Sequence, residues 1–231
     1  MSGQTYDINF CFPVPEALEG ERVRLTPFIP SKHANAFFAS STASLYDHLA
    51  FGPFETVEQF LDVFVEGRIH PNPACVLFAI YDKTRPLVDE EALAGIIGLL
   101  DTSTTNLSTE IGFIFILPSF QRTHVASNAI GLLLHYTLDV PSEGGLGLRR
   151  VVWKANSSNL PSIRAAERLG FKQEGVSRWA VVLPEWKRKG NGLERREEDP
   201  RKSCLGRDTV ILSICWDEWE DGRRTRANDD K

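Results

Sequence analysis

Paired cysteines at redox or zinc-binding spacing are missing from these 231 residues. Cys11, Cys75, Cys204 and Cys215 are scattered and form no CxxC, so they read as reduced thiols of an intracellular protein. The five histidines, His33, His48, His70, His124 and His135, form no HExxH or similar ligand spacing, which argues against a metal site. There is no basic excess. The net charge is −5, whereas a general nucleic-acid binder needs a broad basic surface. No N-terminal run resembles a secretory signal, and no apolar run is long enough to span a bilayer. The expectation is a cytoplasmic protein with neither nucleic acid nor membrane as partner. No internal repeat or clear domain linker stands out. A hydrophobic share of 42% and a charged share of 25% are ordinary for a globular chain.

What is present centres on one stretch. Glu110 to Leu117 is an apolar run rich in aromatic and β-branched residues, which reads as a buried strand. After Pro118, Val125, Ala129, Leu132, Leu133 and Tyr136 recur at spacings of three and four, as one helix face does. A strand therefore passes through a turn into a helix start, where free N–H groups and a positive dipole end suit a phosphate.

The rest of the chain supplies strands and helices around this unit. Residues 1–18, with Pro13 and Pro15, read as a surface arm that Phe10 and Phe12 could anchor. Arg22 to Thr26 alternates as a half-buried strand does. Ser31 is a candidate N-cap for a helix over Lys32–Ala39. Thr56 and Gln59 form a capping box for a helix over Val57–Arg68. Val76–Tyr81 and Leu93–Leu100 are strands, the second central because both its faces are apolar. A charged connector, Asp82 to Glu91, joins them. Beyond the long helix come a strand over Arg149–Lys154, a short helix over Ser162–Leu169 with Gly170 as its left-handed C′ residue, a strand from Phe171 to Val182 and a closing strand over Asp208–Ile214. Residues 184–207 form a long charged loop. Residues 217–231 read as a frayed charged tail. The order predicts one α+β domain over 19–216, a mixed sheet with helices on its faces.

Three stretches then carry a family resemblance. Glu110-Ile111-Gly112-Phe113 through Leu117-Pro118 with Gln121-Arg122-Thr123-His124-Val125-Ala126-Ser127 is similar to the acetyl-CoA signature of the GNAT superfamily of N-acetyltransferases, Gln/Arg-x-x-Gly-x-Gly/Ala. Asn159 to Ser162, continuing through Glu167 and Arg168 to Leu169-Gly170-Phe171, resembles the family's Asn-x-x-Ser helix ending in Leu-Gly-Phe. Leu45 to Phe54 resembles a segment before the second helix in the branch typified by the ribosomal-protein N-terminal acetyltransferases RimJ and RimL. The match spans Glu19 to Cys215. It implies a GNAT-like, mostly antiparallel sheet whose central strands splay apart. It also implies acetyl-CoA as co-substrate, with no metal, and direct attack of a primary amine on the thioester. The amine could belong to a small molecule or a peptide N-terminus, and the protein could be a monomer or homodimer.

The resemblance assigns residues as well. Backbone groups of Phe115, Ile116 and Leu117 would bind the pantetheine arm, and Gln121, Arg122, Thr123, His124, Val125, Ala126 and Ser127 would hold the diphosphate. His124 stands where the family has Gly, which lets backbone approach phosphate without a Cβ in the way. Glu110, a carboxylate beside an otherwise apolar strand, is the candidate base, with a pKa that burial would raise; pairing with a Lys or Arg is the alternative. Many members place a tyrosine acid four residues before the Gly of Leu-Gly-Phe, where this chain has Ala166. Ser162 is the candidate substitute and Asn159 a cofactor contact; plain helix capping explains both equally well. Tyr46, Asp47, His48, Phe51 and Phe54 would line the acceptor pocket, with Trp179 and Trp186 adding to its wall. Packing of aromatics under a loop is the alternative, and His48 is a second candidate base.

The run Lys187-Arg188-Lys189 with Arg195-Arg196 leaves nuclear access open, although nearby acids offset it. Two further functions stay in view: a non-catalytic acyl-CoA-binding module, motivated by His124 and Ala166, and a partner-binding domain that uses the 184–207 loop.

Overall fold

The computed structural model describes residues 6–86 and 91–223. Eight strands form one sheet: β1 (Leu18–Glu19), β2 (Val23–Pro27), β3 (Val76–Pro86), β4 (Glu91–Ser103), β5 (Ser108–Ile116), β6 (Arg150–Asn156), β7 (Lys172–Val182) and β8 (Gly206–Cys215). Their spatial order is β1-β2-β3-β4-β5-β6-β8-β7. Every neighbouring pair is antiparallel except β5 and β6. A parallel pair needs a long crossover, and the helix α3 (Val125–Leu138) lies in it.

The pairing of β5 with β6 positions the site. Register runs Ser108↔Arg150, Thr109↔Val151 and Glu110↔Val152, and then stops. β5 continues to Ile116 and β6 to Asn156, so the two strands part beyond Glu110.

Side-chain alternation along each strand builds two cores, one per face. On β3, Phe78 and Ile80 face the layer that holds Leu133 and Leu134 of α3. Leu77 and Ala79 face the layer that holds Phe37, Phe60 and Phe64. Ile97 and Ile96 of β4 divide the same way, as expected of a central strand apolar on both sides. Each fully buried aromatic or aliphatic side chain contributes about 1.5–3 kcal/mol, so the helices are held mainly by the faces they bury.

The helices start where local chemistry allows. α1 (Pro30–Ser40) has Pro30 in its first turn and Ile29 at the N-cap. Ser31 lies inside the helix and is not its cap. In its place, His33 Nδ1 accepts from the Ile29 amide at 2.7 Å. In α2 (Val57–Gln59), Thr56 Oγ1 accepts from the Gln59 amide at 3.1 Å, but Gln59 Oε1 accepts from Glu55, not from Thr56. The helix runs on as a π-type segment, Phe60–Ile69. α4 (Leu160–Arg168) is capped by Asn159, and Gly170 takes φ 95° beyond it.

Two charged segments are more ordered than the sequence suggests. The expected connector from Asp82 is strand up to Pro86 and again from Glu91; its middle, 87–90, lies outside the described residues. Asp82 is fully buried. At the other end the chain folds into α5 (Trp216–Glu218) and a further turn to Arg223. Trp219 is buried, and its indole Nε1 donates to Asp139 Oδ1 at 2.7 Å. Charge alone therefore misleads there, because one tryptophan anchors the segment. The N-terminal arm is docked too: Phe10 packs on the α3-side core, and Tyr136 Oη donates to the Pro13 carbonyl at 2.6 Å.

Candidate active site

The fork between β5 and β6 is the starting point. Between the pairs Gly98↔Gly112 and Ile96↔Phe115, β5 spends three steps where β4 spends two. This is a β-bulge, with Phe113 at φ 48°. A bulge leaves an extra residue outside the ladder and turns its neighbours. The Phe113 ring packs on Phe51 and Phe64. A cleft of about 120 Å³ runs along the parted strands, lined by Phe113 to Phe115, Trp153 to Asn156, Asn159, Ser162 and His48. Beside it opens a cavity of about 650 Å³ that includes Phe51, Arg68, Asp101, Glu110, Lys154 and Arg207 in its wall. The two share Leu49, Gly112, Phe113, Lys154 and Arg207.

Glu110 sits at the point of the fork and is 9% exposed. A Cβ on Gly112 would lie 3.3 Å from Glu110 Oε1 and 2.6 Å from Leu100, so the neighbouring glycine gives the carboxylate room. Lys154 Nζ lies 2.7 Å from Glu110 Oε2 and 2.8 Å from Asp101 Oδ2. Burial outweighs this cation and lifts the Glu110 pKa above the ordinary carboxylate range. Lys154 loses some charge stability to burial, but its bonds to the two acids dominate and keep its pKa raised. Glu110 is thus both paired with a lysine and a buried carboxylate on a cavity.

Ser162 and Asn159 divide their work. Asn159 Oδ1 accepts from the Ser162 amide at 3.2 Å, which is the capping role. Ser162 Oγ accepts from the Trp153 indole at 3.0 Å. That bond leaves the hydroxyl proton free to donate into the cleft. Ala166, in the tyrosine's place, is fully buried.

At the far end, the turn into α3 is tied by its own side chains. Gln121 Nε2 donates to the Ile116 carbonyl at 3.0 Å, and Thr123 Oγ1 to the Phe120 carbonyl at 2.6 Å. Ser127 Oγ donates to the His124 carbonyl at 3.1 Å. Arg122 takes φ 60°. Two expected main-chain contacts are already engaged: the Leu117 amide donates to Ala94 O at 2.9 Å and the Val125 amide to Thr123 Oγ1 at 3.3 Å. Phe115, Ile116 and Leu117 bury their side chains in the core, so only backbone there can face a ligand. The Ala126 and Ser127 amides belong to the first helical turn, which has no carbonyl partners within the helix. His124 has φ −66°, an ordinary helical value. Its imidazole is turned onto β3, with Nε2 3.2 Å from Asp82 Oδ1.

The residues expected to line an acceptor pocket divide between the openings and the interior. His48 and Phe51 line the openings; burial lowers the His48 pKa. Tyr46 and Phe54 lie behind them in an aromatic cluster, where Tyr46 packs on Phe51, Phe54 and Phe115 and is 2% exposed. Burial pushes the Tyr46 hydroxyl up to about 12. Asp47 is exposed. Trp179 and Trp186 are not among the lining residues; Ala180 and Val181 line the cavity from that strand. The long loop, together with the start of β8, is instead a clamp. Trp186 Nε1 donates to Gly52 O at 3.1 Å, Lys187 Nζ to Tyr46 O at 2.7 Å, and Arg207 Nη1 to His48 O at 3.3 Å. Sequence reasoning missed Arg68, Lys154, Arg207 and the bulge. These groups come from separate elements, and no local motif marks them. No set of three or more metal-ligating side chains occurs among the described residues, and no helix there is long and apolar enough to cross a membrane.

The sheet is thus split between two parallel strands, with a helix N-terminus at the open end. Comparisons with known proteins give this fold a family. The model of the acetyltransferase (GNAT) domain matches residues 22–172. The chain belongs to the GNAT acetyltransferase family. A probable GNAT-family acetyltransferase from Chromobacterium violaceum is 27% identical, with a TM-score of 0.71 over 95% of this chain and 94% of that one. A GCN5-related N-acetyltransferase from Brucella melitensis is 29% identical, with a TM-score of 0.73 over 94% and 86%. Spermidine N-acetyltransferase from Vibrio cholerae, crystallised with CoA and spermine, is 15% identical and shares the fold, with a TM-score of 0.62 over 87% and 99%. No curated protein matches the sequence.

Proposed function

We propose that this protein is an acetyl-CoA-dependent N-acetyltransferase acting on a primary amine in the cytoplasm. The observation that carries the reading is the fork itself: the strands part beyond Glu110, and the cleft between them adjoins a charged cavity that Glu110 lines. Acetyl-CoA supplies the acetyl group. The open edges of β5 and β6 suit its extended arm, and the first-turn amides of α3, Ala126 and Ser127, with those of Arg122 to His124, suit its diphosphate. His124 keeps its side chain on Asp82 and offers its amide in place of glycine's.

Glu110 takes the proton from the incoming ammonium, directly or through one water. Backbone N–H groups of the Phe113 bulge stabilise charge developing on the carbonyl oxygen. Ser162, held by Trp153, donates to the departing sulfur. His48 and Phe51 face the acceptor. The branch typified by RimJ and RimL is part of this proposal, carried by the Leu45–Phe54 segment.

The test is calorimetric titration with acetyl-CoA and desulfo-CoA, followed by thiol release with an amine panel. Micromolar binding and amine-dependent release are expected. Failure to bind either ligand overturns the reading. Ala166 favours a second reading, a non-catalytic acyl-CoA-binding module; amine-dependent release removes it.

A further inference from the structure

We propose that the acceptor amine carries an anionic group, a carboxylate or a phosphate, and that Arg207 with Arg68 binds it while Glu110 faces the amine. The inference rests on the acetyltransferase reading above and adds the substrate class.

Five charged side chains line the larger cavity: Arg68, Lys154 and Arg207 against Asp101 and Glu110. Lys154 lies within 2.8 Å of both acids and offsets one of their two charges. With the two guanidiniums the wall carries three cations against two carboxylates, a net positive charge. Among the described residues no carboxylate lies within ion-pair distance of either guanidinium.

Arg207 is the sharper case. Its Nη1 reaches only the His48 carbonyl, at 3.3 Å, and its Nε is closed to solvent with no hydrogen-bond partner. Burial pulls its pKa down, with Glu110 opposing, yet an arginine stays charged. A buried N–H on a cation is costly unless an oxygen meets it. Arg207 also lines both openings, and its guanidinium carries donors besides Nε and the Nη1–His48 bond, so an oxygen of a ligand bound where acceptor and thioester meet can pair with it.

Arg68 sits across the cavity wall with its guanidinium 4.7 Å from the centre of the Phe51 ring. Stacking on an aromatic face fixes the plane of the fork and keeps its N–H edges available. Such forks match carboxylate and phosphate oxygens in pairs. A polyamine would meet the reverse situation: three cations in the wall against two acids that share Lys154, and like charges facing each other oppose binding.

The experiment compares kcat/KM for acceptors that differ only in the anionic group. ω-Amino acids and dipeptides are each used as free acid and as amide, phosphoethanolamine is paired with ethanolamine, and spermidine is run alongside. We expect at least a tenfold preference for one anionic series over its neutral partner; the series that shows it identifies carboxylate or phosphate. In Arg207→Gln the acid-to-neutral ratio falls toward one, mainly through KM, and Arg207→Lys recovers part of it. Arg68→Met lowers the ratio less. Thermal melting and acetyl-CoA titration establish that each variant is folded. Equal rates for charged and neutral partners, a preference for spermidine, or no turnover of any anionic amine by a protein that binds acetyl-CoA overturns the inference alone. Loss of acetyl-CoA binding in the unmodified protein overturns the acetyltransferase reading beneath it as well.

Discussion

His124 Nε2 lies 3.2 Å from Asp82 Oδ1, a close contact between two nearly buried groups but not an aligned hydrogen bond. Asp82 also accepts from the Thr84 amide and hydroxyl at 2.9 and 2.7 Å. Burial alone would raise its pKa; the Thr84 bonds and His124 outweigh that and hold it below the usual carboxylate range. The family's glycine position is therefore filled by a side chain directed at the protein, not at a phosphate. His124→Gly is expected to leave the acetyl-CoA Kd within about threefold while lowering stability by about 1–2 kcal/mol, from loss of a buried partner. Calorimetry and thermal melting measure both. A tenfold tighter Kd would show instead that the imidazole crowds the ligand.

Glu110→Gln should reduce kcat roughly a hundred- to ten-thousandfold, the range typical of general bases, with acetyl-CoA affinity little changed. Unchanged turnover rejects Glu110 as the base.

The pH profile tests the same group. A base works deprotonated, so kcat/KM should rise with pH through the raised Glu110 pKa. Lys154 lowers that pKa by favouring the carboxylate. Lys154→Met should move the acidic limb to higher pH. A limb that stays in place, or moves down, contradicts the assignment.

Ser162→Ala should lower kcat by about tenfold, as for one lost hydrogen bond of about 1.4 kcal/mol in the transition state, and should remove the partner of the buried Trp153 indole. Asn159→Ala should cost about 1 kcal/mol of stability as a lost N-cap. If Ser162→Ala affects melting alone, the serine has no part in the chemistry.

His33 gives the fold an acid weakness of its own. Burial lowers its pKa to about 4 from 6.5, and its Nδ1 must be unprotonated to accept from Ile29. The sign follows: a depressed folded pKa gives stability that is present above pH 6.5 and lost as pH falls toward about 4. The effect is on the order of 2–3 kcal/mol. Replacing His33 with Gln should flatten that part of a melting-versus-pH curve; an unchanged slope would exclude this origin.

Much of the fold was legible because period and punctuation are local properties. The β5-to-α3 unit, the Thr56 cap and the left-handed Gly170 could all be read from neighbouring residues. The Phe113 bulge could not, since a positive φ at phenylalanine has no sequence mark. Asp82 was misread for a physical reason. A carboxylate normally signals solvent, and here Thr84 donates to one of its oxygens while His124, 42 residues further on, lies beside that oxygen inside the protein. The site divides the same way. Glu110, Ser162, His48 and Phe51 lie on segments with a pattern, whereas Arg68, Lys154 and Arg207 meet only through the tertiary fold. Tyr46 and Phe54 share the pattern of Phe51 but point into the cluster behind it.

Trp186 and Lys187 of the long loop, with Arg207 at the start of β8, reach residues 46–52, and each of these ties ends on a main-chain oxygen. Every residue type carries that oxygen. Gly52 takes φ 57° and Tyr46 is buried, whereas His48 is half-buried at the edge of the cleft. The Arg207 tie to position 48 therefore depends on the path of the backbone there and not on which side chain the residue carries.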